Sequence, residues 1–228
     1  MTILKFLENT HMKTIKTLLA SAIAASVLSA PVMADSGIEV AASVSLASAY
    51  LWRGQDLGDG SPAVSGDLVA SMGGAYGGIW GSSGDDASGN EYDLFAGYGM
   101  EMGDISVDLS VWNYLYPDLG ESQGTFGDLS EIILSVGFGP VSVTYYDNIA
   151  GATGYTYLTV GAGFGAFSAT YGTTSNDDSD ADYSHVDLGY AYNDNLSFTL
   201  SQVVDQDDYE GVDDDLNFVV SYSIPLGK

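Results

Sequence analysis

Two nested repeats between Val40 and Ile224 restrict the fold more than any other feature of the sequence. Segments of about eight to ten residues alternate bulky apolar side chains with small or polar ones, which is the two-residue period of a β-strand. The breaks between these segments alternate between short Gly-rich turns and longer acidic loops. This combination predicts an all-β protein: a transmembrane antiparallel up-and-down β-barrel of about twelve strands, with short periplasmic turns and long acidic external loops.

Counting alternate residues assigns side chains to the two faces of each strand. Tyr92 and Leu94 are predicted to face outward and Asp93 inward. In the preceding segment, Tyr76 and Trp80 are predicted to face outward. The first strand is predicted to continue to Arg53, and residues 85–90 are predicted to form a long loop. The even number of strands places both termini on the periplasmic side, so the first connection is external.

Residues 1–34 are predicted to be a secretory signal peptide, with Met12 as a possible true start. A basic beginning at Lys13 and Lys16 precedes an apolar stretch over 18–30, and Ala34 ends a small-residue cleavage site. The alternative is a membrane anchor, but the apolar stretch is shorter than the roughly 18 residues that a spanning helix needs. Residues 35–228 are then the outer-membrane β-barrel, exported through the Sec pathway.

The chain after the leader is strongly acidic. Of the 31 acidic residues, all but Glu8 follow residue 34, whereas only Arg53 and Lys228 remain as basic residues. Nucleic acids and anionic membrane surfaces both bind basic patches, so neither is an expected partner. The absence of cysteine excludes a disulfide framework and a thiolate metal site, and no cofactor is expected. The 16 tyrosines argue against a disordered acidic chain.

A soluble β-sandwich or periplasmic barrel is the main alternative fold, because its strands also alternate. The small, polar face of the strands would make a poor packed core, which favours the membrane barrel. Aromatic residues near the strand ends also fit the interfacial girdles of outer-membrane barrels. These residues are Tyr50, Trp52, Tyr92, Tyr114, Tyr116, Tyr145, Tyr155, Tyr183, Tyr192 and Tyr222.

Several stretches of sequence also carry a family resemblance. They are YLWRG at 50–54, SPAVSG at 61–66, GAYGGIWGS at 74–82, EYDLFAGY at 91–98 and WNYLYP at 112–117. Through them the chain resembles the TorF family of porin-type proteins, also called the Gcw_chp family of proteobacterial outer-membrane proteins. The resemblance covers essentially the whole mature chain, most specifically its first half. It implies an outer-membrane location in a Gram-negative bacterium and a channel, and it supplies neither a solute nor a catalytic residue.

Ionisable side chains on the predicted inner face are the candidate pore-lining residues. They are Arg53, Asp67, Glu91, Asp93, Asp108, Glu131, His185 and Asp187. Inward acidic groups with almost no opposing base favour cations. The predicted function is therefore a porin-like channel for passive diffusion of small hydrophilic solutes, with a preference for cations. Arg53 is expected either to tie the inner wall through a salt bridge or to form a constriction contact.

A closed barrel is the alternative function, with a structural or surface-interaction role through the acidic loops. Barrels of about eight strands are filled by side chains and those of sixteen or more are open, so twelve strands lie between the two cases.

The acidic loops themselves have two interpretations. They are either solvated loops or weak divalent-cation sites that bridge to lipopolysaccharide phosphates, although neither matches EF-hand spacing. The divalent candidates are Asp178, Asp180, Asp182, Asp205 and Asp207. The expected partners are outer-membrane lipid, lipopolysaccharide, the barrel-assembly machinery, and small hydrophilic solutes or cations.

One pair of residues raises the possibility of a hydrolase. Ser184 and His185 are adjacent, but neighbouring residues of a strand point to opposite faces, so Ser184 cannot easily reach His185. Another serine could pair with His185, but nothing in the sequence marks one. The chain is therefore expected not to be an enzyme.

Overall fold

The computed structural model describes residues 32–33, 37–122, 124–177, 182–206 and 211–226. The leader predicted over 1–34 thus lies outside the described residues, apart from a two-residue strand that pairs with the start of the barrel.

The described chain is almost entirely β-strand. The strands are β1 (Val32–Met33), β2 (Glu39–Ala47), β3 (Leu51–Trp52), β4 (Gln55–Asp56), β5 (Ala63–Met72), β6 (Ala75–Asp85), β7 (Gly89–Met102), β8 (Ile105–Leu115), β9 (Leu129–Phe138), β10 (Val141–Ala150), β11 (Tyr155–Phe164), β12 (Phe167–Asn176), β13 (Tyr183–Ala191), β14 (Leu196–Gln206) and β15 (Asn217–Leu226). A 3₁₀ helix spans Pro117–Ser122. Within the described ranges, no helix has the length and apolar character to cross a membrane.

The strands close into an antiparallel barrel. From β5 to β15 each strand pairs with the next along the chain, and β2 pairs with both β15 and β5. Ala47 joins the two closing pairs, since it stands opposite Ser221 on β15 and Ala63 on β5. The predicted fold class, a twelve-stranded barrel with almost no helix, is confirmed.

The two ends of the barrel differ in their connections. At the short-turn end the strands are joined by residues 73–74, 103–104, 139–140, 165–166 and 192–195. Glycine opens the first four turns with φ between +55° and +67°, a conformation that tight hairpins require and glycine adopts freely. At the long-loop end the connections are 48–62, 86–88, 116–128, 151–154, 177–182 and 207–216. The loop predicted over 85–90 is shorter than expected, because β6 and β7 continue to either side of it.

The outer wall of the barrel is apolar. Every barrel strand exposes large hydrophobic side chains, among them Leu46, Leu68, Leu94, Leu109 and Leu188. A soluble monomer rarely exposes a contiguous apolar patch larger than a few hundred Å², whereas this one encircles the molecule. An outward apolar band of this kind is the outer wall of outer-membrane barrels.

The inner wall holds more aromatic residues than the sequence predicted. Trp80 is only 5% exposed while its neighbour Ile79 is 50% exposed, so the prediction that Tyr76 and Trp80 face outward is wrong. Trp80 stands directly opposite Asp67 on β5 and Asp93 on β7, and cross-strand partners share a face. The outward side of β6 carries Gly77 and Gly81 instead, which hides the true parity from a count of bulky residues.

Bulky and small residues occupy opposite sides of the inner wall. The side built by β5 to β10 carries a buried cluster that includes Val69, Trp80, Phe95, Trp112 and Ile133. Phe95 and Trp112 stack with ring centroids 4.2 Å apart. The side built by β11 to β15 and β2 holds Tyr157, Tyr183 and His185 nearer the long-loop end. Over the rest of its length it carries mainly small hydroxyl residues, among them Ser45, Thr159, Thr170, Ser201 and Ser223. The barrel is therefore filled unevenly across its section.

Candidate functional site

The first connection folds into the barrel and carries the residue around which the candidate site is built. Strands β3 and β4 form a hairpin whose tip is Arg53–Gly54, with φ of +47° and +86°. Positive φ at both central residues is the feature of type I′ hairpin turns. Barrel strand β2 ends at Ala47, so the prediction of a first strand continuing to Arg53 is wrong. The residues 51–56 are called the plug hairpin below.

Arg53 forms an ion pair with Glu131 on β9. Its Nη2 donates to both carboxylate oxygens of Glu131, at 2.7 and 2.8 Å. The two side chains are 6% and 4% exposed. The Tyr114 hydroxyl on β8 donates to the same carboxylate at 2.7 Å. A buried pair of this kind holds only when further hydrogen bonds satisfy the charged groups, and Tyr114 supplies one.

Aromatic rings surround the Arg53 guanidinium. Its central carbon lies 4.6 Å from the ring centroid of Tyr157, 5.0 Å from Tyr146 and 5.2 Å from Tyr155. Trp52, on the plug hairpin itself, lies at 4.4 Å. A cation within about 6 Å of an aromatic face is attracted by the ring quadrupole. The five barrel residues Tyr114, Glu131, Tyr146, Tyr155 and Tyr157 are called the arginine cage.

The charge of Arg53 is preserved in this setting. Burial by itself lowers the pKa of the guanidinium, but the oxygens of Tyr155 and Glu131 outweigh burial, so the net pKa is raised. Arg53 is therefore a permanent cation held inside an otherwise acidic barrel.

The aromatic residues at the long-loop end correct a second prediction. Six residues expected in an interfacial girdle are instead buried or half-buried on the inside: Tyr50, Trp52, Tyr114, Tyr116, Tyr155 and Tyr183. Tyr50 and Tyr114 donate their hydroxyl protons to the inward carboxylates of Glu91 and Glu131, which a lipid-facing position would not offer. Tyr92, Tyr145, Tyr192 and Tyr222 do face outward and are exposed, as the girdle requires.

Glu91 and Asp93 lie beside the ion pair on β7. The hydroxyl groups of Tyr50 and Tyr116 both donate to Glu91, the second at 2.8 Å. Burial, followed by the charge of Glu91, raises the pKa of Tyr50 and Tyr116, so both stay protonated donors. Both carboxylate oxygens of Asp93 are buried without a hydrogen-bond partner among the described residues.

His185 and Asp187 form a third group, on β13. His185 Nδ1 lies 3.0 Å from Asp187 Oδ1, and its Nε2 lies 2.7 Å from the hydroxyl of Tyr157 in the cage. Ser201 donates to the same Asp187 oxygen at 2.6 Å. Gly54 of the plug hairpin packs on the imidazole, since a Cβ there would come within 2.7 Å of the His185 side chain. The hairpin therefore touches two groups of inward residues at once.

The remaining predicted pore-lining residues lie apart from the cage. Ser43 donates to Asp67 at mid-barrel, and Tyr76 donates to Asp108 at 2.9 Å nearer the short-turn end. The structure thus places all eight predicted residues inside the barrel but divides them into separate groups. Sequence reasoning missed the cage tyrosines. The only feature that could have identified them is that they lie beside positions where an inward carboxylate or hydroxyl was predicted.

Ser184 and His185 point to opposite sides of the wall. The Ser184 hydroxyl accepts from Tyr171 at 2.9 Å and donates to Thr173 at 3.0 Å. His185 bonds instead to Tyr157 and Asp187 inside. The geometry brings no serine–histidine pair together at this position.

Aspartates from several loops meet at the long-loop end. A cavity of about 450 Å³ at the long-loop end is lined by Asp56, Asp59, Asp86, Asp213 and Asp215 together with uncharged residues. Ligand atoms of Asp213, Asp214 and Asp215 lie within 4.8 Å of one another, all three exposed.

The predicted divalent candidates are not part of this cavity. Asp182 accepts the Asn176 amide at 2.8 Å, and Asp205 is exposed at the end of β14. The other three, Asp178, Asp180 and Asp207, lie outside the described residues.

Comparison with known proteins gives a family and similarity to solved structures. A family model named Gcw_chp, described as a bacterial protein of unknown function, matches residues 32–224. No curated protein matches the chain. Fourteen chains of solved structures match. One of them is the outer membrane phospholipase A from Escherichia coli, with 13% identity, a TM-score of 0.43, and coverage of 80% of this chain and 88% of that one.

This last match corrects the expectation that the chain is not an enzyme. The solved structure that resembles it is, by its name, a phospholipase, so a barrel of this kind does not by itself exclude enzymatic activity. At 13% identity the likeness concerns the fold, and it transfers neither a substrate nor a catalytic residue to this chain.

Proposed function

The chain belongs to the Gcw_chp family of bacterial proteins of unknown function, and from this premise we propose that it is an outer-membrane channel for small hydrophilic solutes, with a preference for cations. In the conformation described here the plug hairpin closes that channel. Lipid and lipopolysaccharide surround the barrel, the long loops face outward from the cell, and insertion depends on the barrel-assembly machinery.

The observation that carries the proposal is the charge inside the barrel. Within the described part of the barrel at least six carboxylates point inward, and Arg53, the single arginine of the sequence, lies among them. The six are Asp67, Glu91, Asp93, Asp108, Glu131 and Asp187. Charged linings of one sign select ions of the other sign, so a passage through this lining favours cations.

The uneven filling of the barrel supports a passage beside the bulky cluster. Toward the short-turn end, small hydroxyl residues on β11 to β15 and β2 leave that side with few large side chains, whereas Tyr157, Tyr183 and His185 fill it nearer the long-loop end. At the long-loop end the way along this wall is covered by Gly54 on His185 and by Arg53 in its cage. Movement of one short hairpin would therefore uncover it.

Planar-bilayer recording tests this function. We expect rare brief current steps from the wild-type protein, and long openings after deletion of residues 51–56. Under a salt gradient the reversal potential should have the sign of cation flow. Asp108→Asn in the hairpin-deleted protein should weaken the cation preference, because it removes one inward charge far from the hairpin. An anion preference in the hairpin-deleted protein would contradict the proposal.

A closed barrel with a surface role is the second candidate, and the burial of the cage favours it. Arg53, Glu131 and His185 are all nearly inaccessible, which is how a filled barrel looks. The hairpin deletion separates the two functions, because a filled barrel stays silent when the hairpin is removed, provided that it still folds. Folding is checked by the heat-dependent mobility of the protein in gel electrophoresis.

A further inference from the structure

We propose that the arginine cage is a binding site for the guanidinium group of an external solute, and that Arg53 occupies it as a tethered competitor. The proposal goes beyond conduction, because it concerns a ligand that the barrel wall itself binds. It rests on the proposed function only in that the solute reaches the cage from the long-loop end.

The cage belongs to the wall and not to the hairpin. Tyr114, Glu131, Tyr146, Tyr155 and Tyr157 lie on the consecutive paired strands β8 to β11. Only Arg53 and Trp52 come from the plug hairpin. When the hairpin moves, the carboxylate and its rings therefore keep their arrangement and present an empty site.

An empty cage would leave Glu131 as a buried carboxylate without its cation. Removing one partner of a buried ion pair is strongly unfavourable, since the remaining charge has lost both water and its counter-ion. A solute that replaces the guanidinium removes this cost. A planar guanidinium fits better than a compact ammonium, because it can bond a carboxylate and stack on aromatic rings together.

The tethered guanidinium does not use the cage completely. Nη2 of Arg53 makes both bonds to Glu131, whereas Nη1 and the hydroxyls of Tyr155 and Tyr183 lie near one another without a hydrogen bond of good geometry among the described residues. The tether also holds Arg53 at φ +47°, which few residues other than glycine adopt. A free guanidinium has neither constraint and can turn to reach the unused groups.

The long-loop end favours the approach of cations. Five aspartates line the cavity beside the plug hairpin, and Asp56 belongs to both. Clefts lined by one sign of charge raise the local concentration of the opposite ion. The acidic mouth therefore supplies the cage with the class of solute that it binds.

Chemical rescue in a variant tests the site without any recording of current. The Arg53→Ala protein, purified in detergent, should melt below the wild type. Methylguanidinium at low millimolar concentration should raise its melting temperature by about 2–4 °C, as expected for a ligand that binds only the folded state. Equal concentrations of potassium chloride should not. The same variant carrying Glu131→Gln should not respond, and an equal response there would overturn the proposal.

A second measurement uses the wild-type chain and covers the case in which the variant fails to fold. Arg53 is the only arginine in the sequence, so phenylglyoxal modification, located by mass spectrometry, reports on this one side chain. We expect slow modification, and a several-fold faster rate with methylguanidinium, which displaces Arg53 from the cage. Consumption of the reagent by methylguanidinium would act in the opposite direction. A rate that stays unchanged or falls would overturn the proposal, whether or not the barrel conducts.

Discussion

Gly54 is the residue at which a single methyl group decides how the plug hairpin sits. Its φ of +86° suits glycine, and an added Cβ would meet the His185 side chain at 2.6 and 2.7 Å. These two atoms are Cγ and Cβ of His185, which lie close to its backbone and cannot move aside as the end of a flexible side chain could. Backbone conformation and packing therefore both select glycine here.

We expect Gly54→Ala to destabilise the folded protein by about 1–3 kcal/mol, the usual cost of overpacking a filled site. Denaturant-induced unfolding in detergent measures this. Gly73→Ala is the matched control, since Gly73 also has positive φ, +63°, but a Cβ there meets nothing within 4 Å. Its cost should be limited to the backbone, about 1 kcal/mol. Equal losses in the two variants would mean that Gly54 does not press on His185.

For single residues, the sequence predicted the strand face on which a side chain lies better than it predicted the neighbours of that side chain. The parity of Asp93 and Glu131 was correct, because their strands alternate without interruption. Trp80 was placed on the wrong face, because the glycines around it leave a count of bulky residues without a reference. The partners of Arg53 could not be predicted, since they lie on three strands distant in the sequence and depend on how far a loop folds inward.

The plug hairpin is the element that differs most from its prediction. Its two strands have two residues each, too short for a period to be recognised, so the sequence read them as a continuation of the first barrel strand. The barrel strands, at nine to fourteen residues, carry the period clearly and were found in the right order and number. Strand length therefore explains why the barrel strands were predicted correctly and the plug hairpin was not.

The hairpin is also tied to the last long loop. Gln55 Nε2 donates to the Asp213 carbonyl at 3.1 Å, and the Asp213 amide donates back to Gln55 Oε1 at 2.9 Å. This reciprocal pair fixes the hairpin from the outside while Arg53 fixes it from the inside. In the proposed channel, movement of the hairpin requires both the Gln55–Asp213 hydrogen bonds and the Arg53–Glu131 ion pair to break.

A reversible cross-link between these two positions should lock the hairpin. The sequence has no cysteine, so Gln55→Cys with Asp213→Cys introduces the only thiols. We expect the oxidised protein to show neither current steps nor methylguanidinium-dependent modification of Arg53, and a reductant to restore both. Each single-cysteine variant serves as the control. Unchanged behaviour after complete oxidation would show that the hairpin need not move.

For the molecule as a whole, the outer wall determines the solvent in which it folds. Exposed leucine, valine, isoleucine and aromatic side chains surround every strand, while most carboxylates point inward or lie in the loops. Hydrocarbon suits the first set, and water at the ends suits the second. The global alternation of the sequence predicted this separation, because it averages over many strands and tolerates an error in one of them.

We expect the folded protein to need an amphiphile. Dilution out of detergent should cause association that light scattering detects, because water cannot solvate the apolar band. A soluble protein of the same net charge is the control for dilution itself. A folded monomer that persists in plain buffer would contradict the membrane assignment and, with it, the channel.

The unequal halves of the inner wall have a consequence for what an opened barrel would admit. With indole and phenyl rings crowded against one side, we expect the free section of an opened barrel to be a crescent along the hydroxyl-bearing side, not a round hole on the axis. Such a slot sorts molecules by thickness before it sorts them by volume. Flat solutes would slip through where compact spheres of equal mass are turned away.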